Sequence, residues 1–379
     1  MPDESTDRRL VERRRAAARP PAPPPPPAHV AARAAYEHIP LYSPGAVEAT
    51  PCAVDVSDNT NLGGAPPGAL AALHAAPDDA VTRYPALYGA TLKQGIAAYA
   101  GAHERNVVTG CGSDDVLDSA MRAFGEPGDV VAHPVPSFSM IPVFARMSGL
   151  EPVGVPLLGA SRDYDADADA LLATGAKIIY LCTPNNPTGT VTTGATVRRV
   201  VERATGLVII DEAYGEFAGE TFMAEAVTWG RVLVTRTMSK AFGLAGLRVG
   251  YGIASESIVR EVEKARGPYK LNGMAERAAA VALGDGLPWV LEHAAIACEV
   301  RERLTSRLRG MGLRVLPSQG NFVLVETGRA PLLAARLRSQ GIQVRLFTGL
   351  PGIGDALRIG VGPWPVMDRV LGALEEALG

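Results

Sequence analysis

Between about residue 84 and residue 275 the chain alternates short apolar runs with longer segments whose apolar positions recur at helical spacing. Residues 89–102 read as a helix, followed by a short strand at 107–108, a glycine-rich turn and a helix over 116–124. Apolar runs at 130–131, 177–182, 207–210 and 231–235 read as strands. Short strands separated by helices predict a largely parallel sheet covered on both faces. After a helix-favouring stretch over 274–309 the texture changes. Runs at 313–316, 321–325, 342–347 and 357–361 read as strands of a smaller α+β unit, with helices near 332–340 and 365–378. The pattern therefore predicts an α/β chain in four parts: an arm over 1–37, a segment over 38–80 that joins the smaller unit, a large unit over 81–275 and the smaller unit over 276–379.

Composition narrows the classes of function. The 379 residues carry 37 basic and 40 acidic side chains, a net charge of −3, which lacks the basic footprint of a nucleic-acid partner. No apolar run approaches the ~18 residues that a membrane-spanning helix requires. Cys52, Cys111, Cys182 and Cys298 are scattered without metal-ligand or paired spacing, as are the six histidines, so no metal site is expected and a reducing cytoplasm is. Arg19-Pro20-Pro21-Ala22 and the prolines from Pro23 to Pro27 read as an extended, solvated arm. Lysine is scarce: Lys93, Lys177, Lys240, Lys264 and Lys270 are all there are, so lysine chemistry has few candidates.

Four strand ends carry polar residues, and in an open α/β sheet ligands sit at the carboxyl ends of the strands. Gly110-Cys111-Gly112-Ser113-Asp114-Asp115 stands between a strand and a helix, where backbone N–H groups bind phosphate or simply await a cap. As a dinucleotide fingerprint it is broken, because Asp115 stands where the third glycine belongs. Pro184-Asn185-Asn186-Pro187-Thr188-Gly189 is a rigid turn that either serves the fold alone or presents the Asn186 amide to a ligand. Asp211-Glu212-Ala213-Tyr214 places a carboxylate at the end of an apolar strand, as a cap or as the partner of a cation. Thr237-Met238-Ser239-Lys240-Ala241-Phe242-Gly243 sets a lysine among small and apolar residues. There it either snorkels to solvent or, desolvated, attacks an aldehyde. Together the four supply an aldehyde-capturing amine, an acid for a ring nitrogen, donors for a ring oxygen and a phosphate cradle, which are the needs of pyridoxal phosphate.

At these residues the chain resembles the fold-type-I aminotransferases, and among them it is most similar to histidinol-phosphate aminotransferases, over roughly residues 41–379. The resemblance implies a mostly parallel, seven-stranded-type sheet sandwiched by helices, plus a smaller α+β domain. It makes Lys240 the lysine that holds pyridoxal 5′-phosphate as a Schiff base and Asp211 the partner of its pyridine nitrogen. Tyr214 and Asn186 would bond the ring hydroxyl. Ser239, Arg248 and the backbone of Gly112, Ser113 and Asp114 would hold the phosphate, and Phe138 would stack on the ring. Tyr84 resembles the tyrosine that reaches the cofactor phosphate of a neighbouring subunit, which implies a homodimer with shared sites. Arg358 resembles the clamp for the substrate carboxylate, while Arg345 and Tyr42 fall where the subfamily contacts the substrate's phosphate. Each of these last three is otherwise an ordinary surface residue.

Two segments depart from the family. Asp58-Asn59-Thr60-Asn61-Leu62-Gly63-Gly64 replaces the usual Asn-Glu-Asn-Pro-like run, and Lys270 replaces a neutral residue. Both are expected on the substrate side. The implied reaction is transfer of an amino group from a donor such as glutamate to imidazole-acetol phosphate. The alternatives are an aromatic or specialised 2-oxo acid as acceptor, or decarboxylation on the same fold. A cofactor-binding regulator lacks a preceding DNA-binding domain, and a nicotinamide dehydrogenase lacks its glycine pattern.

Overall fold

The computed structural model describes residues 32–33, 36–37, 39–41 and 52–379. Most of the proline-rich arm, and Tyr42 with it, lie outside the described residues. The chain forms two compact units, Met1–Leu41 and Tyr42–Gly379. In the first, the Tyr36 N–H donates to the Arg33 carbonyl at 2.8 Å and the Ile39 N–H to the Tyr36 carbonyl at 3.1 Å.

The second unit is built on thirteen strands among the described residues: β1 (Val54–Asp55), β2 (Val107–Cys111), β3 (Val130–Val135), β4 (Glu151–Pro156), β5 (Ile178–Cys182), β6 (Leu207–Asp211), β7 (Val232–Thr237), β8 (Val249–Ala254), β9 (Arg314–Val315), β10 (Phe322–Glu326), β11 (Ile342–Gln343), β12 (Arg345–Leu350) and β13 (Gly354–Gly360). Seven of them make one sheet in the order β2-β8-β7-β6-β5-β3-β4. Strands β3 to β7 pair in parallel, and β8 runs antiparallel to both β2 and β7. Burial on both faces explains the apolar runs of β5, of β6 as far as Ile210 and of β7 from Val232 to Val234; the polar ends Asp211, Thr235, Arg236 and Thr237 are buried with them.

A second sheet, antiparallel, runs β12-β13-β10-β9, and β1 pairs in parallel with β11. Its core is distinct: Val56 near the start of the described chain packs in one cluster with Leu304, Val323, Leu333, Ile359 and Leu371. The run over 342–347 is therefore not one strand. Val344 divides it, sending β11 to β1 and β12 to β13. The stretch over 274–309 likewise splits at Gly284 and Gly286 into helices Gly273–Leu283 and Leu287–Gly310.

Register brings the strand ends level. Gly250 in β8 faces Gly110 on one side and Thr237 on the other, Asp211 faces Thr235, and Cys182 faces Asp211. The segments that follow β2, β5, β6 and β7 thus emerge along one edge. Gly250 is required there, because a Cβ on it would stand 2.1 Å from the Ser113 nitrogen, where a helix begins on top of the sheet.

Candidate active site

The helix Ser113–Phe124 begins three residues earlier than its hydrophobic pattern suggests, because Ser113, Asp114 and Asp115 form its polar first turn. Gly112 precedes it with φ +83° and supplies no side-chain cap, so the first N–H groups face the strand-end edge. Arg248, itself left-handed at φ 54°, lays its guanidinium across this turn. Its Nη1 donates to Ser239 Oγ at 3.2 Å, its Nη2 stands 3.4 Å from Asp114 Oδ2, and a Cβ on Gly112 would meet Nη2 at 2.6 Å. Uncapped N–H groups, a hydroxyl and a guanidinium converge on one point, an arrangement suited to a phosphate. Asp114 is the carboxylate that Arg248 touches, with Asp115 next to it in the same turn. Burial raises the Asp114 pKa, and Arg248 and Lys240 pull it down.

Lys240 follows β7. Its Nζ donates to the Asp58 carbonyl at 2.9 Å and lies 5.8 Å from the centre of the Tyr214 ring. Burial, and then the positive charge of Arg358, press its pKa down to about 8. Asp211 ends β6 at 3% exposure. Burial pushes its carboxyl up to about 6, against the pull of the Tyr180 hydroxyl, which donates to Oδ2 at 2.7 Å, and of Thr235 Oγ1, which donates to Oδ1 at 3.1 Å. Beneath it Arg236 pairs with Glu212 and Glu216, all three side chains buried. That ion network locks the turn from Asp211 to Tyr214.

Arg358, in β13, is 7% exposed and joins the second sheet to this edge. Its Nη1 donates to Asn186 Oδ1 at 2.5 Å and its Nη2 to the Ser57 carbonyl at 2.5 Å. With its oxygen engaged, the Asn186 amide has its NH₂ left to donate. Arg345 sits directly opposite Arg358 across the β12–β13 ladder. Residues directly opposite in an antiparallel ladder point to the same face of the sheet, so the two guanidiniums share one face.

Among the described candidates, Lys240, Asp211, Tyr214, Asn186, Ser239, Arg248, Gly112, Ser113, Asp114 and Arg358 converge, and Arg345 adjoins Arg358. Phe138 stands just beyond β3, half-buried, next to Ser137, whose hydroxyl donates to Asn185 Oδ1 at 2.7 Å. Tyr84 stays outside the cluster: it is 83% exposed and stacks on Tyr269 at 4.8 Å. Lys270 bonds Asp115 Oδ1 at 2.9 Å, so it braces the turn at Gly112 rather than the substrate side.

Two contributors escaped the sequence pattern. Tyr180 sits inside an apolar strand, where nothing marks its hydroxyl as a partner for Asp211. The tripeptide Ser57-Asp58-Asn59 acts through two backbone carbonyls and one amide, Asn59 Nδ2 donating to the Tyr214 hydroxyl at 3.1 Å. Asp58 and Asn59 drew attention only through the departure of residues 58–64 from the family run, and Ser57 drew none.

Residues 53–374 match the aminotransferase class I and II family. The chain belongs to that family. It is 36% identical over 303 residues, 79% of this chain and 85% of the other, to a histidinol-phosphate aminotransferase of Thermoanaerobacter pseudethanolicus. It is 38% identical over 332 residues, 86% of this chain and 91% of the other, to one of Symbiobacterium thermophilum. Among solved structures it is similar to the histidinol-phosphate aminotransferase of Sinorhizobium meliloti in complex with pyridoxal 5′-phosphate. The TM-score is 0.83 at 27% identity, covering 93% of this chain and 98% of that one. An aspartate aminotransferase of Thermus thermophilus shares the fold, with a TM-score of 0.74 at 20% identity and coverage of 86% and 91%. This aminotransferase therefore has the α/β architecture of its family, with the large, mostly parallel sheet expected for fold type I.

Proposed function

We propose that this aminotransferase uses pyridoxal 5′-phosphate to pass an amino group from glutamate to imidazole-acetol phosphate, giving histidinol phosphate. The observation that carries the substrate assignment is the Arg345–Arg358 pair, two guanidiniums on one sheet face at the edge where Lys240 lies. One suits a carboxylate and the other a phosphate, each by a bidentate fork. Tyr42 would help on the phosphate side. The kinship with histidinol-phosphate aminotransferases supports the same choice.

The residues present fit the cofactor. Its phosphate would lie at the uncapped helix start, held by the Ser113 and Asp114 N–H groups, Ser239 Oγ and Arg248. Asp211 would keep a proton on the ring nitrogen, Tyr214 and the Asn186 NH₂ would donate to the ring hydroxyl, and Phe138 would cover a ring face. When bound, the cofactor supplies an aldehyde that captures amines and a ring that takes up electrons from Cα.

The protein's own groups do the rest. A Lys240 amine with a pKa near 8 is partly neutral at physiological pH and thus nucleophilic. Released from the Asp58 carbonyl, Nζ would take the substrate Cα proton as a base and, as an acid, pass it on to the cofactor carbon that carries the transferred nitrogen. Arg358 exchanges the Ser57 carbonyl for the incoming carboxylate, which orients Cα towards Nζ.

The exposed Tyr84–Tyr269 stack supports a homodimer in which Tyr84 reaches the cofactor phosphate in a second copy of the chain. Among the described residues no helix is long and apolar enough to cross a membrane, and the four cysteines are unpaired, which supports a cytoplasmic enzyme.

The test is a half-reaction screen. The holoenzyme's visible absorbance is followed with a panel of amino donors. The resulting form is then offered phosphorylated and unphosphorylated oxo acceptors. Glutamate and imidazole-acetol phosphate should be preferred. A preference for an unphosphorylated aromatic acceptor, or release of CO₂ without any oxo acceptor, would sink the assignment.

A further inference from the structure

We propose that Asn59 is a positioning residue for this reaction: its side-chain NH₂ donates to the Tyr214 oxygen and so leaves the tyrosine's own proton to be given towards the cofactor. The inference rests on the reading above that Tyr214 donates to the ring hydroxyl.

Asn59 is only 2% exposed and adopts the left-handed conformation, with φ 58°. Its backbone is tied independently of its side chain: Asn321 Nδ2 donates to its carbonyl at 2.9 Å, and the Gly360 N–H donates to the nearby Val56 carbonyl at 2.7 Å. The side chain makes one hydrogen bond, from Nδ2 to the Tyr214 hydroxyl at 3.1 Å, while Oδ1 is buried without a partner. An amide kept at the cost of one unsatisfied acceptor is kept for the bond that its other end makes.

The polarity of that bond is chemically decisive. An amide nitrogen only donates, so the phenolic oxygen accepts and its hydrogen must go to another acceptor. Tyr214 is 4% exposed, its ring is wedged edge-on against Phe322 at 5.0 Å, and Lys240 Nζ lies over its face. Packing holds the ring, and Asn59 selects the direction of the hydroxyl proton. The same residue ends the tripeptide whose two preceding carbonyls receive Arg358 and Lys240, so the segment orders three groups of the site at once.

Two substitutions separate the side chain from the backbone. Asn59→Gly accepts positive φ without strain and removes the amide alone. Asn59→Asp keeps the size and the tolerance of the left-handed region but offers only acceptors when ionised, so the Tyr214 hydroxyl must turn and donate to it. A donor on the ring oxygen stabilises its deprotonated form, and loss of that donor raises the pH at which the bound cofactor's visible absorbance titrates.

The experiment titrates that absorbance in substrate-free holoenzyme and measures the dissociation constant for pyridoxal 5′-phosphate added to cofactor-free protein. Circular dichroism of each cofactor-free variant checks folding. Asn59→Asp should raise the midpoint by roughly 0.5–1 pH unit, in the direction of Tyr214→Phe, and weaken cofactor binding roughly threefold to tenfold. Asn59→Gly should shift the midpoint less, because its tyrosine is freed and not reversed. Either an Asn59→Asp midpoint equal to that of the wild type, or an Asn59→Gly shift as large as the Asn59→Asp shift, overturns the proposal. If one variant does not fold, a wild-type midpoint in the other overturns it alone. Wild-type protein that takes up no cofactor removes the underlying functional reading as well, so the two failures are distinguishable.

Discussion

Replacing Tyr180 by phenylalanine removes one hydroxyl and nothing else from the heart of the site. That hydroxyl donates to Asp211 Oδ2 at 2.7 Å, with both residues buried. A hydrogen bond to a charged group contributes roughly 1.5–3 kcal/mol, which corresponds to about 1–2 pKa units. The Asp211 carboxyl, already raised to about 6, should move to about 7–8 in the variant. At pH 7 the ionised fraction would fall from about nine-tenths to between one-half and one-tenth.

The sign for stability follows from the same shift. A carboxyl raised in the native state binds more protons folded than unfolded, so stability declines as pH rises from the unfolded value near 3.8 through the folded one. In cofactor-free wild-type protein that decline is about 3 kcal/mol by pH 8, and in the variant about 4–6 kcal/mol. Infrared difference spectroscopy of the carboxyl band gives the Asp211 midpoint, and urea unfolding at pH 4 and pH 8 gives the decline. An unmoved midpoint, or equal declines in the two proteins, would refute the view that Tyr180 holds this carboxylate in its charged form.

Three other outcomes follow from the geometry. Arg345→Ala should lower kcat/KM for the phosphorylated acceptor by about 100-fold while leaving glutamate nearly untouched, whereas Arg358→Ala should impair both. Equal losses on both substrates for Arg345→Ala would remove its phosphate role, and steady-state kinetics on the two half-reactions decide. Gly112→Ala forces a side chain into positive φ and against Arg248, so it should weaken pyridoxal-phosphate binding at least tenfold in a fluorescence titration. Lys240→Met should abolish the yellow holoenzyme. It should also raise the thermal midpoint of the cofactor-free protein below pH 8, because a lysine with a depressed folded pKa binds fewer protons folded and is most costly where it is charged. That gain should disappear as the pH climbs past the ordinary lysine range.

Much of the large sheet was legible because β5, β6 as far as Ile210 and β7 from Val232 to Val234 are unbroken apolar runs, the pattern of strands covered on both faces. Two of its strands were not. β8 reads Val-Gly-Tyr-Gly-Ile-Ala, and its glycines look like a continuation of the preceding turn. One of them is there because a helix start rests on it, a tertiary reason with no local trace. β4 contains Pro152 and Pro156 and looks like a breaker segment, which an edge position tolerates. The candidate site divides in the same way. Lys240, Asp211, Asn186 and Arg248 stand out because they are polar residues in small or apolar surroundings. Ser57 and Asp58 act through carbonyl oxygens that every residue owns, and Tyr180 through a hydroxyl hidden in a hydrophobic run. Lys270 was legible as an oddity but not as a brace, since its partner Asp115 lies 155 positions away.

The bonds that Arg358 and Asn321 make to residues 57 and 59 have a consequence for biosynthesis. During translation the tripeptide at residues 57–59 leaves the ribosome some three hundred codons before the arginine at 358 that it will meet. The sheet bearing the lysine can form in the interval, but the pocket around it stays unsealed until the last strands have left the exit tunnel. Nascent chains stalled before β13 should then capture the vitamin-derived aldehyde loosely and lose it quickly, and durable retention should begin only once that strand is free to fold.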